Sequence, residues 1–179
     1  MDAREAERLI AAAVPAGRGT WADLGAGDGT FTRALSARLG PGSRIYSVDR
    51  DARALKTLER AVAGLEAQVT TAVADLEKAF ALPGVTDGAL DGLLLANTLH
   101  FLRDAAGVLR RLATWLRPGG LAVVIEYDQR TRSRWVPYPI EASEVAALFA
   151  SAGFAAPRVV ARAPSAFGGE LYVAAGAKG

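Results

Sequence analysis

The residues with the most chemical content lie in the run Trp21-Ala-Asp-Leu-Gly-Ala-Gly-Asp-Gly-Thr30. Gly25, Gly27 and Gly29 tolerate positive φ and carry no Cβ, so a ligand can lie against the bare backbone. Their spacing is G-x-G-x-G. A dinucleotide loop has G-x-G-x-x-G, whose third glycine lets the following helix close on a pyrophosphate; here Thr30 stands in that place. Asp23 and Asp28 flank the glycines. A carboxylate beside a pyrophosphate would cost about 4 kcal/mol per pair of unit charges at ~4 Å and an effective dielectric of about 20. A ligand bearing ammonium and sulfonium groups reverses that sign. A tight turn with Asp28 capping the helix would explain the glycines but not the second acid.

Two more carboxylates follow at strand-like ends. Asp49 closes Ile45-Tyr-Ser-Val-Asp49, about twenty residues beyond the loop, where a carboxylate can accept both ribose hydroxyls of an adenosine. NAD and S-adenosylmethionine both present that ribose, so Asp49 points to an adenosine nucleoside and no further. Asp75, in Val73-Ala-Asp-Leu76, can accept from an adenine amino group or cap the turn ahead of Glu77.

The run Ala96-Asn-Thr-Leu-His100 holds the only histidine of the chain, three residues after Asn97. A neutral imidazole there suits proton removal from a hydroxyl or a carbon acid, with a packing or hydrogen-bonding role as the more ordinary alternative. Glu126-Tyr-Asp128 leads into Gln129-Arg-Thr-Arg-Ser-Arg-Trp135 and Pro137-Tyr-Pro139. Tyr127, Arg130, Trp135 and Tyr138 are candidate acceptor contacts. Arg130, Arg132 and Arg134 can hold a carboxylate, a phosphate or an aromatic ring, line an RNA path, or face water.

These residues need a scaffold, and the hydrophobic pattern supplies one. Ala6, Leu9, Ile10 and Ala13 recur at helical spacing in a first helix ended by Pro15 and Gly17. Strands are predicted at Thr20 to Gly25, Arg44 to Val48, Val69 to Ala74, Leu90 to Ala96 and Leu121 to Tyr127, with helices at Phe31 to Leu39, Ala52 to Ala63 and about Arg103 to Leu116 between them. Continuous apolar strands separated by helices imply a parallel sheet covered on both faces. After the polar loop 128–139 comes a helix from Glu141 to Ala152, then strands Ala156 to Ala163 and Glu170 to Ala175. The six residues between those strands are too few for a parallel crossover, so they form an antiparallel hairpin. The expectation is one domain over 1–179, with an N-terminal helix at 1–14 and a closing hairpin at 154–176.

Composition narrows the class. The chain has 179 residues, no cysteine and a net charge of +2, with arginine supplying most of the basic residues. Disulfides, thiolate metal sites and thiol nucleophiles are excluded. The low net charge does not point to nucleic acid. The first residues lack the pattern of a signal peptide, so the default compartment is cytoplasmic.

Taken in order, ADLGAGDGTFT, YSVDRD, VADLE, LDGLLLANTLHFL and LRPGG resemble the motifs of the class I S-adenosylmethionine-dependent methyltransferases, particularly the small-molecule type 11 and ubiquinone-pathway group, over nearly the whole chain. The resemblance implies a three-layer, Rossmann-like α/β fold with a seven-stranded sheet of order 3-2-1-4-5-7-6, strand 7 antiparallel. It implies S-adenosylmethionine as cofactor, with S-adenosylhomocysteine as product and no metal. Asp23 and the backbone of Gly25, Ala26, Gly27 and Gly29 would face the methionine moiety, Asp49 the ribose, Asp75 and Leu76 the adenine, and Asn97 the transferable methyl, with Arg50 a further cofactor contact. The expected activity is in-line methyl transfer to a small-molecule acceptor. The alternatives are a protein or RNA acceptor, a non-catalytic member of the fold and, disfavoured by Thr30, a nicotinamide-dependent reductase. The absence of an Asn/Asp-Pro-Pro-Tyr run after the fourth strand argues against DNA-base or glutamine-amide methylation.

Overall fold

A computed structural model describes residues 1–179. The first helix, α1 (Ala3–Ile10), begins in a reciprocal cap: the Glu5 amide donates to Asp2 Oδ1 at 2.8 Å and the Asp2 amide to Glu5 Oε2 at 2.7 Å. Strand β1 (Thr20–Leu24) feeds α2 (Thr30–Leu39), β2 (Arg44–Asp49) feeds α3 (Ala52–Val62), and β3 (Gln68–Val73) lies at the sheet edge. The crossover from β3 to β4 (Leu90–Ala96) contains no helix. Instead Leu76 and Leu82 are buried along it, and Phe80 meets Trp115 edge-on at 5.3 Å, so side chains cover the sheet where a helix would otherwise lie.

All seven strands form one sheet in the order β3-β2-β1-β4-β5-β7-β6, parallel except for β7 (Glu170–Lys178), which runs antiparallel to both β5 and β6 (Phe154–Pro164). This is the expected order. Strand β4 shows how the two faces are filled: Leu93 and Leu95 pack with Val108, Leu109 and Phe149, while Leu94 and Ala96 pack with the α1 and α2 side. Central strands are therefore apolar on both faces, as a doubly covered sheet demands.

Boundaries depart from expectation where local chemistry intervenes. The helix predicted from Arg103 to Leu116 is α4 (Ala105–Leu112), opened by Asp104, whose Oδ1 accepts the Gly107 amide at 2.8 Å, and followed by a 3-10 turn at Ala113–Trp115. Strand β5 (Leu116–Tyr127) starts earlier than expected because Pro118-Gly-Gly is absorbed as an irregularity between the Leu90–Leu116 and Gly92–Leu121 pairs. Helix α5 (Val145–Ser151) is shorter than predicted. Strand β6 begins before its predicted start and breaks register between Ala155 and Arg158, where Ala156 has φ 47° and Pro157 has no amide to donate. No helix is long and apolar enough to cross a membrane.

Candidate functional site

The carboxyl ends of β1, β2 and β4 meet at the point where strand order reverses, the place where open α/β sheets form a ligand crevice. The glycine loop lines it, and its glycines have different duties. A Cβ on Gly25 would sit 2.2 Å from Thr98 Oγ1, so this glycine lets the loop close on the end of β4. A Cβ on Gly29 would meet Leu58 Cγ at 2.7 Å, so this one lets α2 pack on α3. Gly27 has open space beside it and faces the crevice.

Four of the loop's amides are committed to protein partners. Gly25 and Ala26 donate to the Val48 carbonyl at 2.8 and 2.9 Å, Gly27 donates to Asp49 Oδ2 at 2.8 Å, and Gly29 donates to the Ala26 carbonyl at 3.0 Å. Asp23 in fact faces away from the crevice. It is 1% exposed, and its Oδ2 accepts from Thr32 Oγ1 at 2.7 Å, which in turn lies 2.9 Å from Ser47 Oγ. Burial pushes its carboxyl up to about 7, with the Thr32 hydrogen bond opposing and the Asp49 charge adding to the rise. Asp28 is exposed and accepts only from Thr30 Oγ1 at 3.2 Å; the residue capping α2 is Gly29, which has no side chain to do so.

The crevice encloses about 360 Å³. Seven of the sequence-derived residues line it: Gly25, Gly27, Asp49, Arg50, Asp75, Leu76 and Asn97. Asp23, Ala26 and Gly29 stand behind the wall, Ala26 packing on Leu55 and Leu58. Asp49 accepts the Gly27 amide on Oδ2 and the Asp51 amide on Oδ1, each at 2.8 Å, which leaves a lone pair on each oxygen for a hydroxyl. Asp75 Oδ1 accepts the Glu77 amide at 3.0 Å, so the turn-capping role and a place on the crevice wall coexist. Thr98, Phe101 and Leu102 complete the wall from the turn after β4; periodicity gives no sign of them.

A second cavity of about 600 Å³ adjoins the first, and Asn97 and Phe101 belong to both. Asn97 has φ 52°, its amide donates to the Ile125 carbonyl at 2.8 Å, and its Oδ1 is buried without a partner. Its backbone is therefore left-handed, and the residue lies on the wall that the two cavities share. Tyr127, Arg130 and Trp135 line the second cavity, joined by Phe167 from the turn between β6 and β7. Tyr138 does not. Its amide donates to the His100 carbonyl at 2.9 Å, and its ring lies under Arg132 at 5.5 Å on the other side of the loop.

His100 is 2% exposed, on the 3-10 turn Leu99–Phe101, and lines the second cavity. Its Nδ1 lies 2.6 Å from Glu126 Oε2, while Glu126 Oε1 accepts the Thr98 and His100 amides at 3.0 and 3.3 Å. A carboxylate held that way accepts the Nδ1 proton and leaves the Nε2 lone pair free. Glu126 is the functional partner that sequence reasoning noted at a strand end without a role. Tyr127 beside it has its phenol pushed up, chiefly by burial, with the Glu126 charge adding and Arg130 opposing.

A sheet of this order, with a glycine loop after β1 and carboxylates ending β2 and β3, has the architecture of the class I methyltransferases. A family model described as a methyltransferase domain matches residues 22–124, and the chain belongs to that S-adenosylmethionine-dependent family. Among curated proteins it is 32% identical over 130 residues to the biotin biosynthesis bifunctional protein BioCD of Bordetella avium, covering 73% of this chain and 26% of that one. It is 26% identical over 114 residues to a polyketide synthase-nonribosomal peptide synthetase of Aspergillus clavatus, covering 63% of this chain and 3% of that one. The chain thus spans a small part of these relatives' length. A crystal structure of a SAM-dependent methyltransferase from Aquifex aeolicus superimposes with a TM-score of 0.76 at 20% identity, covering 97% of this chain and 89% of that one, a likeness of fold.

Proposed function

We propose that this chain transfers the methyl group of S-adenosylmethionine to a small-molecule acceptor seated in the second cavity, with His100 taking the acceptor's proton. The observation that carries the reading is Asn97, a residue with left-handed backbone that lines both cavities. The crevice residues fit the cofactor: Asp49 has lone pairs for ribose hydroxyls, and Asp75 and Leu76 lie at the adenine end of the motif order. Bound there, S-adenosylmethionine supplies a methyl group on a positive sulfur and retains the carbon–sulfur electron pair after displacement.

The protein's part is to position, desolvate and deprotonate. Glu126 fixes the imidazole so that Nε2 is the free acceptor, and the proton of an acceptor hydroxyl or carbon acid passes to that nitrogen as the new bond to carbon forms. Phe101, Tyr127, Trp135 and Phe167 line the cavity with aromatic rings.

Titration calorimetry tests the first half of this reading. Saturable binding of S-adenosylmethionine and S-adenosylhomocysteine is expected, and binding of NADH in their place would overturn it. Exposed Arg132 and Arg134, stacked on Tyr138 at 5.5 Å and Trp135 at 4.6 Å, favour a second reading in which the acceptor is RNA or protein. Labelled methyl recovered in macromolecules, with salt-dependent RNA binding, would select it.

A further inference from the structure

The three arginines of the loop after β5 are not equivalent. Arg132 and Arg134 are exposed and lie off the second cavity; Arg130 is partly buried and lines it. Its Nη2 donates to the Phe167 and Gly168 carbonyls at 2.7 and 2.8 Å, and its guanidinium stacks over Tyr127 at 5.0 Å. The side chain is therefore fixed from two directions. Its Nε and Nη1 have no hydrogen-bond partner in the protein, so N–H groups remain for a ligand.

Nor does Arg130 have a counter-ion. Asp128 and Glu170, which share a surface cleft with Arg130, lie 2.6 and 3.1 Å from Arg162. The remaining carboxylate near the cavity, Glu126, is occupied by two amides and the imidazole. The cavity wall thus carries a fixed guanidinium with free N–H groups and several aromatic rings. That combination offers a carboxylate a charge-assisted partner and a flat ring a surface to lie on.

We propose that the acceptor is a hydroxylated aromatic carboxylic acid: its ring lies between the aromatic walls, its carboxylate takes the free N–H groups of Arg130, and its hydroxyl faces His100 Nε2. This deepens the methyl-transfer reading and rests on it. In the reaction the hydroxyl proton goes to Nε2, the oxygen bonds to the methyl carbon, and the carbon–sulfur pair stays on the departing neutral thioether.

The test separates this inference from that reading. With S-adenosylhomocysteine saturating, calorimetry compares para-coumarate, its carboxamide and tyramine on the unaltered protein. The acid is expected to bind about tenfold or more tightly than the amide, the scale of one charge-assisted contact, and tyramine weakest. Arg130→Gln should erase the acid–amide difference, and Arg132→Gln should preserve it. Equal affinity for acid and amide, or tightest binding of tyramine, overturns the acid-acceptor proposal. The comparison of ligands on the unaltered protein stands even if Arg130→Gln does not fold. Cofactor binding without this preference leaves the methyltransferase reading intact and removes only the acceptor class.

Discussion

His100 and Glu126 are 26 positions apart and meet at 2.6 Å because one follows β4 and the other ends β5, adjacent parallel strands in register at Ala96 and Ile125. Each group is ordinary alone. Together they define which imidazole nitrogen is free, and that defines what the acceptor must offer. His100→Asn is expected to lower kcat by about 100-fold or more, the lower range for a positioned general base, with cofactor affinity unchanged because His100 is not on the crevice wall. Glu126 acts through the imidazole and is a positioning residue, so Glu126→Gln should lower kcat while leaving the acceptor KM nearly unchanged. Steady-state kinetics with a transferable acceptor, beside calorimetry with S-adenosylmethionine, checks both; full activity of either variant would remove His100 from the chemistry.

Among the elements, the turn from β1 into α2 is the one most constrained by its neighbours. Gly25 has φ +82°, and the space its Cβ would occupy is filled by Thr98, whose Oγ1 donates to the Ala96 carbonyl at 3.0 Å and whose amide donates to Glu126. Thr98 cannot step aside without breaking those bonds. Gly25→Ala is therefore expected to cost about 2–3 kcal/mol of stability through overpacking and a strained backbone, and to abolish cofactor binding in whatever fraction folds. Urea denaturation with calorimetry reads both quantities. The loop after β5 is tied down in a comparable way: Asp128 Oδ1 accepts the Ala142 amide at 3.0 Å, Tyr172 Oη donates to the Ile140 carbonyl at 2.9 Å, and Arg130 joins the loop to the β6–β7 turn. The second cavity is built between those two segments.

At the scale of the whole molecule, the buried Asp23 makes stability depend on pH. Its carboxyl titrates near 7 in the fold against an ordinary value of 3.8, so the native chain keeps a proton that the unfolded chain releases. Stability is greatest below about pH 4 with respect to this group, falls as pH rises toward 7, and levels off above. Asp23→Asn, which stays neutral, should show a flatter Tm profile between pH 5 and 8 than the unaltered chain. Identical slopes for the two proteins would mean that Asp23 is ionised throughout. Cofactor should also raise Tm, since a ligand at about 100 times its Kd adds roughly 2.7 kcal/mol to the folded state.

The sequence by itself determined the alternation of strands and helices, the strand order through its family resemblance, and the carboxylates that end β2 and β3. Those are periodic or local properties, and hydrophobic spacing and glycine chemistry act within a few residues of each other. It read the glycine loop as a nucleotide site partly from two flanking acids, which are visible in one dimension, while the direction Asp23 faces is not. Tertiary structure alone decided that Asp23 turns toward Thr32, that Glu126 holds His100, that Arg130 and not Arg132 or Arg134 reaches the second cavity, and that Phe167 closes it. Each of these depends on which strands lie side by side and on which way a side chain leaves its backbone, and no spacing along the chain encodes contacts between residues that meet only across the sheet.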